Sequence, residues 1–397
     1  MIPKAAAQRL RTAPWLSRAE TQRVFALLDG TSDRTRAVGW VVRDSLLERD
    51  RDSGEIDFAT QLLPDEVMRR AGEAGISVYP TGIEHGTVTL RLGETTAEVT
   101  TLREDITTDG RHAKVRFGTD WRRDAERRDF TLNALYAGMD GTLFDPIGGA
   151  QDCLAGHVRF IGDPDARIAE DRLRVYRFFR FSASHGREEF DEDGLAAVAR
   201  AAGDLGALSA ERVGAEIRRM LELGRIARTF TAMGAAGVLV LPSGVLDQLG
   251  GYERRARHPS IAPRLALLIA AQGEGKLKRQ WRLSNDEIVM ADALLSAARL
   301  LIDFQLNEAA YRFPAVLGDA VELAATLAGW TEAGKSAVVQ GLERLEVPKF
   351  PLTGDDLIAH GMRPGPALGT ELERLEKKWI ASGFTLSRQA LLAEPKR

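Results

Sequence analysis

The stretch RRDFTLNALYAGMDGTLFDPIGG, residues 127–149, divides the chain into two parts with different hydrophobic periodicity. Before it, from about residue 36, short runs such as EIDFAT, GTVTLRL and AKVRF alternate apolar and polar residues, which predicts β-strands. After it, from about residue 163, apolar residues recur at helical spacing and strand patterns almost vanish. The sequence therefore predicts an α+β fold, in which a small mixed α/β head domain precedes an extended all-α remainder.

The composition of this 397-residue chain is that of an ordinary globular protein, with 44% hydrophobic and 28% charged residues. Its length predicts roughly two to four domains. The net charge of −3 does not by itself indicate a polyanion partner, although nucleic-acid enzymes often confine basic residues to one face. A single cysteine rules out an internal disulfide and a cysteine-rich zinc site. No apolar run suggests a signal peptide or a membrane span, so we expect a cytoplasmic protein.

Changes in periodicity along the chain predict five segments. The second half contains one pattern of particular length, DPDARIAEDRLRVYRFFRFSASHG at 163–186, which has the spacing of a single continuous helix. We expect a lead-in helix in residues 1–30, the head domain in 31–150, a helical neck in 151–225, a helical body in 226–345 and a helical tail in 346–397.

Three carboxylates in the predicted strands are candidates to hold a metal ion. Glu55 and Asp57 in EIDFAT lie two residues apart, so their side chains point to the same face of a strand. Glu98, in the strand AEVTTLR, is placed to supply a third carboxylate. Phosphoryl transfer to a hydroxyl needs divalent cations held by such hard oxygen ligands. The alternative is that these are edge-strand carboxylates facing water, which an isolated acidic pair favours.

A second candidate site lies in the predicted neck helix, where Glu170, Asp171 and Arg174 lie at positions i, i+1 and i+4. Asp171 and Arg174 would be neighbours on the helix surface and could offer a base edge both acceptors and donors. Cytosine and adenine both present an exocyclic amine beside a ring acceptor, so such a pair could select C and A over G and U. Glu170 would hold the guanidinium of Arg174. The alternative is an ordinary surface ion pair.

Together these segments resemble the tRNA nucleotidyltransferases of the CCA-adding and poly(A) polymerase family, in their bacterial class II type. The family's Gly-Gly-x-Val-Arg-Asp turn, helix and Asp-x-Asp strand correspond to residues 39–44 and 55–60. Three features depart from the pattern: Trp40 replaces the second glycine, the loop ERDRDSG looks longer than usual, and Glu55 replaces the first aspartate. We expect the indole of Trp40 to crowd the nucleotide or displace the backbone, and Glu55 to misplace a cation that tolerates little displacement.

The resemblance implies an activity and a cofactor. A member of this family would add C and A nucleotides from CTP and ATP to the 3′ end of tRNA without a template, releasing pyrophosphate. Mg²⁺ would be held by Glu55 and Asp57, and Glu98 would complete the catalytic carboxylates.

The resemblance also implies a nucleotide site. Arg128 would meet the triphosphate and Asp129 the ribose, with Asn133 in support on the same helical face. The nucleotide-binding residues expected from the resemblance are Gly39, Arg43, Asp44, Arg128, Asp129, Asn133, Glu170, Asp171, Arg174 and Arg177.

Two further segments resemble parts of the family. Residues 102–117 resemble the loop that members use to switch from C to A addition, with Arg103, Asp109 and Arg111 as candidates within it. Residues 350–379 resemble the tail that binds the tRNA elbow, although a simple helix hairpin would have the same turn. Two other functions stay open: a tRNA- or RNA-binding paralogue with weak or no catalysis, and a poly(A) polymerase.

Overall fold

The computed structural model covers nearly all of the chain. Within the described residues, seven strands form one sheet, two form a hairpin, and the remaining elements are helices, so the predicted α+β class is confirmed. Among the described residues, no helix is long and apolar enough to cross a membrane. The described residues are 2–49, 53–109, 112–242 and 244–393.

The chain divides into two compact units. The first contains the predicted head domain, most of the predicted neck and the first part of the predicted body, and the second contains the rest of the predicted body and the tail. The boundaries expected within each unit stay predictions. The first unit is Met1–Met220 with Arg228–Val240, and the second is Leu221–Ala227 with Leu241–Arg397.

The N-terminal segment, predicted as one lead-in helix, forms three helices, so this prediction is wrong. The first break falls before Pro14, because proline restricts the preceding residue to extended backbone, and Ala13 has a ψ of 133°. Leu10 and Phe25 are fully buried, which ties the segment to the core of the first unit. The helices are α1 Lys4–Arg11, α2 Pro14–Ser17 and α3 Ala19–Leu27.

The described part of the head domain contains nine strands. They are β1 Thr35–Val38, β2 Glu55–Thr60, β3 Ser77–Gly82, β4 Thr87–Leu92, β5 Thr95–Thr101, β6 Arg103–Asp109, β7 His112–Phe117, β8 Tyr136–Ala137 and β9 Leu143–Phe144. The main sheet has the order β3-β4-β5-β2-β1-β8-β9, and β6 pairs with β7 in a separate hairpin. In the main sheet β2 and β5 are parallel, whereas the other neighbouring strands are antiparallel. The predicted strands EIDFAT, GTVTLRL, AEVTTLR and AKVRF are therefore confirmed.

The register of the parallel pair sorts side chains between the two faces of the sheet. Ile56 and Phe58 of β2 are buried on one face, where the ring of Phe58 packs edge-on against Phe25 of α3 at 5.0 Å. Asp57 points to the opposite face because successive residues of a strand alternate. The helical side of the sheet is thus apolar, and the carboxylates lie on the other side.

Three helices of the head domain connect the strands. The helix predicted between the first two strands is confirmed, and so is the helix opened by Pro64. The third begins after Asp120, whose side chain accepts hydrogen bonds from the backbone N–H groups of Arg122 and Arg123, as an N-cap residue does. The helices are α4 Trp40–Leu46, α5 Pro64–Glu73 and α6 Trp121–Glu126.

The neck is helical, but the single helix predicted at 163–186 is wrong, because two helices with a break at Asp171 occupy this range. Asp171 has extended backbone (φ −150°, ψ 105°). Its Oδ1 accepts a hydrogen bond from the N–H of Leu173 at 3.1 Å, and such local side-chain bonds compete with helix formation. The neck and the following helix are α7 Gly149–Ala155, α8 Pro164–Glu170, α9 Arg174–Ser184, α10 Glu192–Ala201, α11 Ala210–Leu221 and α12 Ala227–Ala235.

The second unit is helical, as predicted for the body and the tail. The two terminal nitrogens of the buried Arg264 guanidinium donate to the carbonyl groups of Leu221, Leu223 and Gly224, and Nη2 also forms an ion pair with Glu253 at 2.9 Å. Its helices are α13 Val245–Arg255, α14 Ile261–Gln272, α15 Glu274–Trp281, α16 Asn285–Ile302, α17 Leu306–Arg312, α18 Leu317–Ala328, α19 Glu332–Glu343, α20 Gly354–Ala359, α21 Pro366–Ala381 and α22 Arg388–Leu392.

The sequence DPIGG at 145–149 forms a compact joint between the head and the neck. Both carboxylate oxygens of Asp145 accept backbone hydrogen bonds at the start of α7, from Gly149 at 2.9 Å and Ala150 at 3.0 Å. A Cβ atom added to Gly149 would lie 2.0 Å from the backbone oxygen of Thr131. Position 149 therefore tolerates only glycine, because the obstacle is backbone.

We expect Gly149→Ala to destabilise the first unit by about 1–3 kcal/mol, the usual cost of overpacking. The matched control is Gly72→Ala, since Gly72 lies inside α5 and an added Cβ meets nothing within 4 Å; this change should be neutral or stabilising. Urea unfolding of both variants measures the difference. Equal stability of the two variants would contradict the assigned contact.

Candidate active site

Three carboxylates lie on one face of the head sheet. Asp57 of β2 lies directly opposite Glu98 of β5 in the parallel pair, and Glu55 lies opposite Thr96. Asp57 is half-buried, whereas Glu55 and Glu98 are exposed. Both strands are internal to the sheet, so the expectation of edge strands in the alternative is wrong, although Glu55 and Glu98 do face water.

The charges of these carboxylates repel one another. Burial, followed by the negative charges of Glu98 and Glu55, raises the pKa of Asp57 to about 6 against an opposing effect of Arg128. A carboxylate surrounded by like charge is costly to keep ionised, unless a cation joins it. Strongly shifted acids of this kind are concentrated at functional sites.

The turn at Gly39 brings backbone close to Asp57. Gly39 has a φ of +77°, which favours glycine, and a Cβ atom added there would lie 3.9 Å from Asp57 Oδ2. Trp40 is the first residue of α4 and has a negative φ. The conformation of position 40 therefore does not require glycine, and Trp40 leaves the turn intact with its side chain half-exposed.

Arg43 and Asp44, predicted to bind the nucleotide, are both buried. Arg43 donates from Nε to Asp44 Oδ1 at 2.9 Å and from Nη1 to Asn133 Oδ1 at 2.7 Å. Asp44 Oδ1 also lies 3.3 Å from His185 Nε2. Burial would raise the pKa of Asp44, but His185 and Arg43 together hold it below its ordinary value. In this geometry the two residues position α4 and face other protein groups.

Asp129, predicted to meet the ribose, is also buried and has both oxygens engaged. Oδ1 accepts from the Asn133 side chain and from the N–H of Phe130, both at 2.9 Å, and Oδ2 accepts from Arg177 Nε at 2.7 Å. Burial opposes ionisation, yet the guanidinium of Arg177 and these hydrogen bonds lower the pKa of Asp129. The segment is not a regular helix, since only Thr131–Asn133 forms a 3-10 turn. The predicted shared helical face is therefore wrong.

The network continues from Arg177 into α11. Glu216, which is buried, accepts from Arg180 Nε at 2.6 Å and from Arg219 Nη1 at 3.1 Å, and Arg177 Nη1 lies 4.0 Å from it. The sequence interpretation missed Glu216 and His185. For Glu216 a signal was available, because an acidic residue among apolar neighbours of an arginine-rich helix indicates a buried partner.

Arg128 stands apart because it remains partly exposed and acts electrostatically on Asp57. Its Nη2 donates to Asp124 Oδ2 at 3.1 Å and its Nε to the hydroxyl of Tyr136 at 3.2 Å, while Tyr136 donates to Asp124 at 2.8 Å. Asp124 also pairs with Arg127. Asp124 and Tyr136 were missed, although the spacing of Asp124 four residues before Arg128 could have indicated the pair.

The predicted contact between Glu170 and Arg174 is confirmed, with Nη1 of Arg174 at 2.5 Å from Glu170 Oε2. The same guanidinium donates to the carbonyl groups of Arg167 and Arg127. Asp171, however, pairs with Arg212 of α11 at 2.6 Å. Because the helix is interrupted at Asp171, the two proposed base-reading residues belong to different local structures.

The hairpin formed by β6 and β7 occupies the segment that resembles the switching loop. Arg103 donates from Nη1 to the carbonyl oxygen of His85 at the turn between β3 and β4. The side chain of Asp109, and Arg111 as a whole, lie outside the described residues.

Comparison with known proteins places this site in a family. Residues 35–159 match the Poly A polymerase head domain. The mitochondrial CCA tRNA nucleotidyltransferase 1 of Danio rerio is 34% identical over 381 residues, covering 90% of this chain and 86% of that protein. The chain belongs to the CCA tRNA nucleotidyltransferase family.

Bacterial relatives agree with this assignment. The CCA-adding enzyme of Limosilactobacillus fermentum is 30% identical over 380 residues, covering 89% of this chain and 90% of that protein. The crystal structure of the Bacillus stearothermophilus CCA-adding enzyme in complex with CTP is similar with a TM-score of 0.74, at 26% identity and covering 92% and 94% of the two chains.

Nucleotidyltransferases of this family generally use a divalent metal, and the carboxylates fit one. Asp57 and Glu98 offer oxygen ligands from adjacent strands, and their repulsion favours a cation. In the part of the chain that is described, no three His, Cys, Asp or Glu side chains are arranged to hold a metal ion by themselves.

We expect Asp57→Asn to stabilise the metal-free protein at pH 8 by about 1–3 kcal/mol, because raising the pKa of a carboxyl by one on folding costs about 1.4 kcal/mol once it is ionised. The pKa of Asp57 is raised in the folded state, so ionised Asp57 lowers the free energy of unfolding. This loss grows as the pH rises from about 4 to about 6 and is constant above that range. Urea unfolding with a chelator, at pH 8 and pH 4, measures this difference. Glu94→Gln, at an exposed carboxylate between β4 and β5, is the control; a gain that persists at pH 4 would contradict the electrostatic cause.

Proposed function

We propose that this protein adds C and A nucleotides from CTP and ATP to the 3′ end of tRNA without a template, building CCA and releasing pyrophosphate. One observation carries the proposal. In a chain similar to CCA-adding enzymes over about nine-tenths of its length, Asp57 and Glu98 lie opposite each other on adjacent strands, beside the Gly39 turn.

The proposed reaction is attack of the tRNA 3′-hydroxyl on the α-phosphate of the incoming nucleotide. Glu55 and Asp57 are the carboxylates that would hold Mg²⁺, the proposed cofactor, and Glu98, opposite Asp57, would complete the catalytic carboxylates. When bound, it would supply positive charge for the attacking and leaving oxygens. Arg128 would contact the triphosphate, since it is partly exposed and its guanidinium is held in place by Asp124.

Nucleotide choice is proposed to depend on Arg174 and Asp171. Glu170 fixes one side of the Arg174 guanidinium and Arg212 fixes Asp171, so each group is held by a different partner. Rigid donors and acceptors discriminate between bases better than mobile ones, because their positions are established before the nucleotide binds.

The buried residues of the predicted nucleotide site are proposed to position the exposed ones. Arg43, Asp44, Asn133 and Asp129 form one hydrogen-bonded chain between α4 and Arg177. Arg177 keeps about a third of its side chain exposed, so it can both close this chain and face the triphosphate.

The tail, residues 346–397, is proposed to contact tRNA. Its turn Gly361–Pro366 is largely exposed and contains Arg363, which suits a contact with the phosphate backbone that carries no sequence information. A cytoplasmic location also stays a proposal, since some relatives are mitochondrial proteins by name.

Purified protein with Mg²⁺ and tRNA transcripts ending before CCA, after C and after CC tests the function. Labelled CTP and ATP are supplied separately and together, with GTP and UTP as controls, and the products are separated at single-nucleotide resolution. We expect growth to CCA that then stops, and no product from Asp57→Asn.

Other products would select another function. A long run of A on any RNA would indicate a poly(A) polymerase. Retained tRNA binding without any extension would indicate the non-catalytic paralogue and would overturn the proposal.

Trp40→Gly tests whether the indole obstructs the nucleotide. Because position 40 already has helical backbone, we expect kcat with CTP to change by less than about threefold, and the helix to lose stability as glycine usually causes. Glu55→Asp, measured beside it, should change the Mg²⁺ concentration for half-maximal activity. A rise in kcat above about tenfold for Trp40→Gly would show that the indole impairs the site.

A further inference from the structure

The N-terminal segment Lys4–Leu27 donates three hydrogen bonds, two to the C-terminal end of α4 and one to Ser53, which lies just before β2. Arg9 Nη2 donates to the carbonyl oxygen of Leu46 at 2.7 Å. Trp15 Nε1 donates to Ser45 Oγ at 2.9 Å. Arg18 Nη1 donates to the carbonyl oxygen of Ser53 at 2.7 Å. These contacts lie at both ends of the loop that looks longer than usual for the family.

Two of the three contacts continue through a serine hydroxyl towards the candidate active site. The hydroxyl of Ser45, which accepts the hydrogen bond from Trp15, in turn donates to the carbonyl oxygen of Val41 at 2.8 Å. Trp15 is thereby connected to the first turn of α4, next to Gly39. Ser53 Oγ accepts from the N–H of Glu55 at 3.1 Å, so Arg18 is connected to the first residue of β2.

These hydrogen bonds fix the position of the N-terminal segment relative to α4, in addition to burying its apolar side chains. Trp15 is almost fully buried, and apolar packing alone would hold a helix without fixing its position along the partner. Arg9 places a positive charge at the C-terminal end of α4, where the helix dipole favours it. Three directional bonds at separate points therefore fix α4 and β2 relative to each other, and with them the gap between Gly39 and Asp57.

We propose that Lys4–Leu27 is a positioning element of the active site, in which Trp15 and Arg18 set the distance between the Gly39 turn and the carboxylates of β2. The segment lies outside the residues that match the Poly A polymerase head domain. The inference rests on the proposed function for its kinetic part. Small displacements matter here, because a shift of about 1 Å in a reacting group can cost about 100-fold in rate.

The test compares Trp15→Phe, Ser45→Ala, their double variant and Arg18→Gln with Trp281→Phe, the same substitution at a buried tryptophan of the second unit. Below the unfolding temperature of every variant, we expect Trp15→Phe to lower kcat about tenfold and to raise the Mg²⁺ concentration for half-maximal activity. Ser45→Ala should give the same effect, and the double variant no more than either single one. Trp281→Phe should leave kcat unchanged.

Hydrogen exchange separates this inference from the proposed function. Trp15→Phe and Arg18→Gln should increase exchange in Val41–Leu46 and in Glu55–Phe58, respectively, whether or not the wild-type protein extends tRNA. Unchanged exchange in these segments would overturn the positioning role. A loss of activity that follows only the fall in Tm, and that Trp281→Phe reproduces, would also overturn it.

Discussion

The ion pair between Asp129 and Arg177 joins the head sheet to the neck, and the arrangement of the active site depends on it. From Asp129 the hydrogen bonds continue through Asn133 to Arg43 and α4; from Arg177 they continue towards Glu216 and α11. Burying such charges is costly unless every group has a partner, and removing one partner leaves an uncompensated charge. The network therefore couples the position of α4 to that of α9 through partners that cannot be removed one at a time without cost.

The head domain contains two groups of carboxylates, one paired with arginine and one not. In the network, each buried carboxylate is matched by a guanidinium, and the pKa values of Asp44, Asp124 and Asp129 are lowered. On the open face of the sheet, burial and the charges of Glu98 and Glu55 raise the pKa of Asp57, and the opposing effect of Arg128 is too small to offset them. The acids with lowered pKa values are already neutralised by arginine, whereas Asp57 would gain free energy from a bound cation, which supports the proposed metal site.

The local sequence pattern predicts the placement of the sheet carboxylates but not the partners of the buried hydrogen-bond network. Glu55, Asp57 and Glu98 follow from strand alternation, and the contact of Glu170 with Arg174 follows from helical spacing. The partners in the network are distant in sequence: 90 residues separate Arg43 from Asn133, and 141 separate Asp44 from His185. No periodicity within one element indicates such pairs, so Arg43, Asp44 and Asp129 were assigned to the nucleotide by resemblance alone, whereas the geometry has them facing protein groups.

The break at Asp171 shows how a distant contact overrides a local pattern. Residues 163–186 have the apolar spacing of one helix, yet Asp171 gains a bond to the N–H of Leu173 and an ion pair with Arg212, forty-one positions later. The backbone hydrogen bonds around the break are largely kept, because the N–H of Asp171 still lies 3.5 Å from the carbonyl oxygen of Arg167 and the N–H of Arg174 donates to the carbonyl oxygen of Asp171 at 3.0 Å. The interruption also places Asp171 at the end of α8, whereas Arg174 is the first residue of α9. Each of the two groups is instead held by a partner outside α9, Arg174 by Glu170 of α8 and Asp171 by Arg212 of α11, so a distant ion pair replaces the helical spacing that the sequence pattern implied.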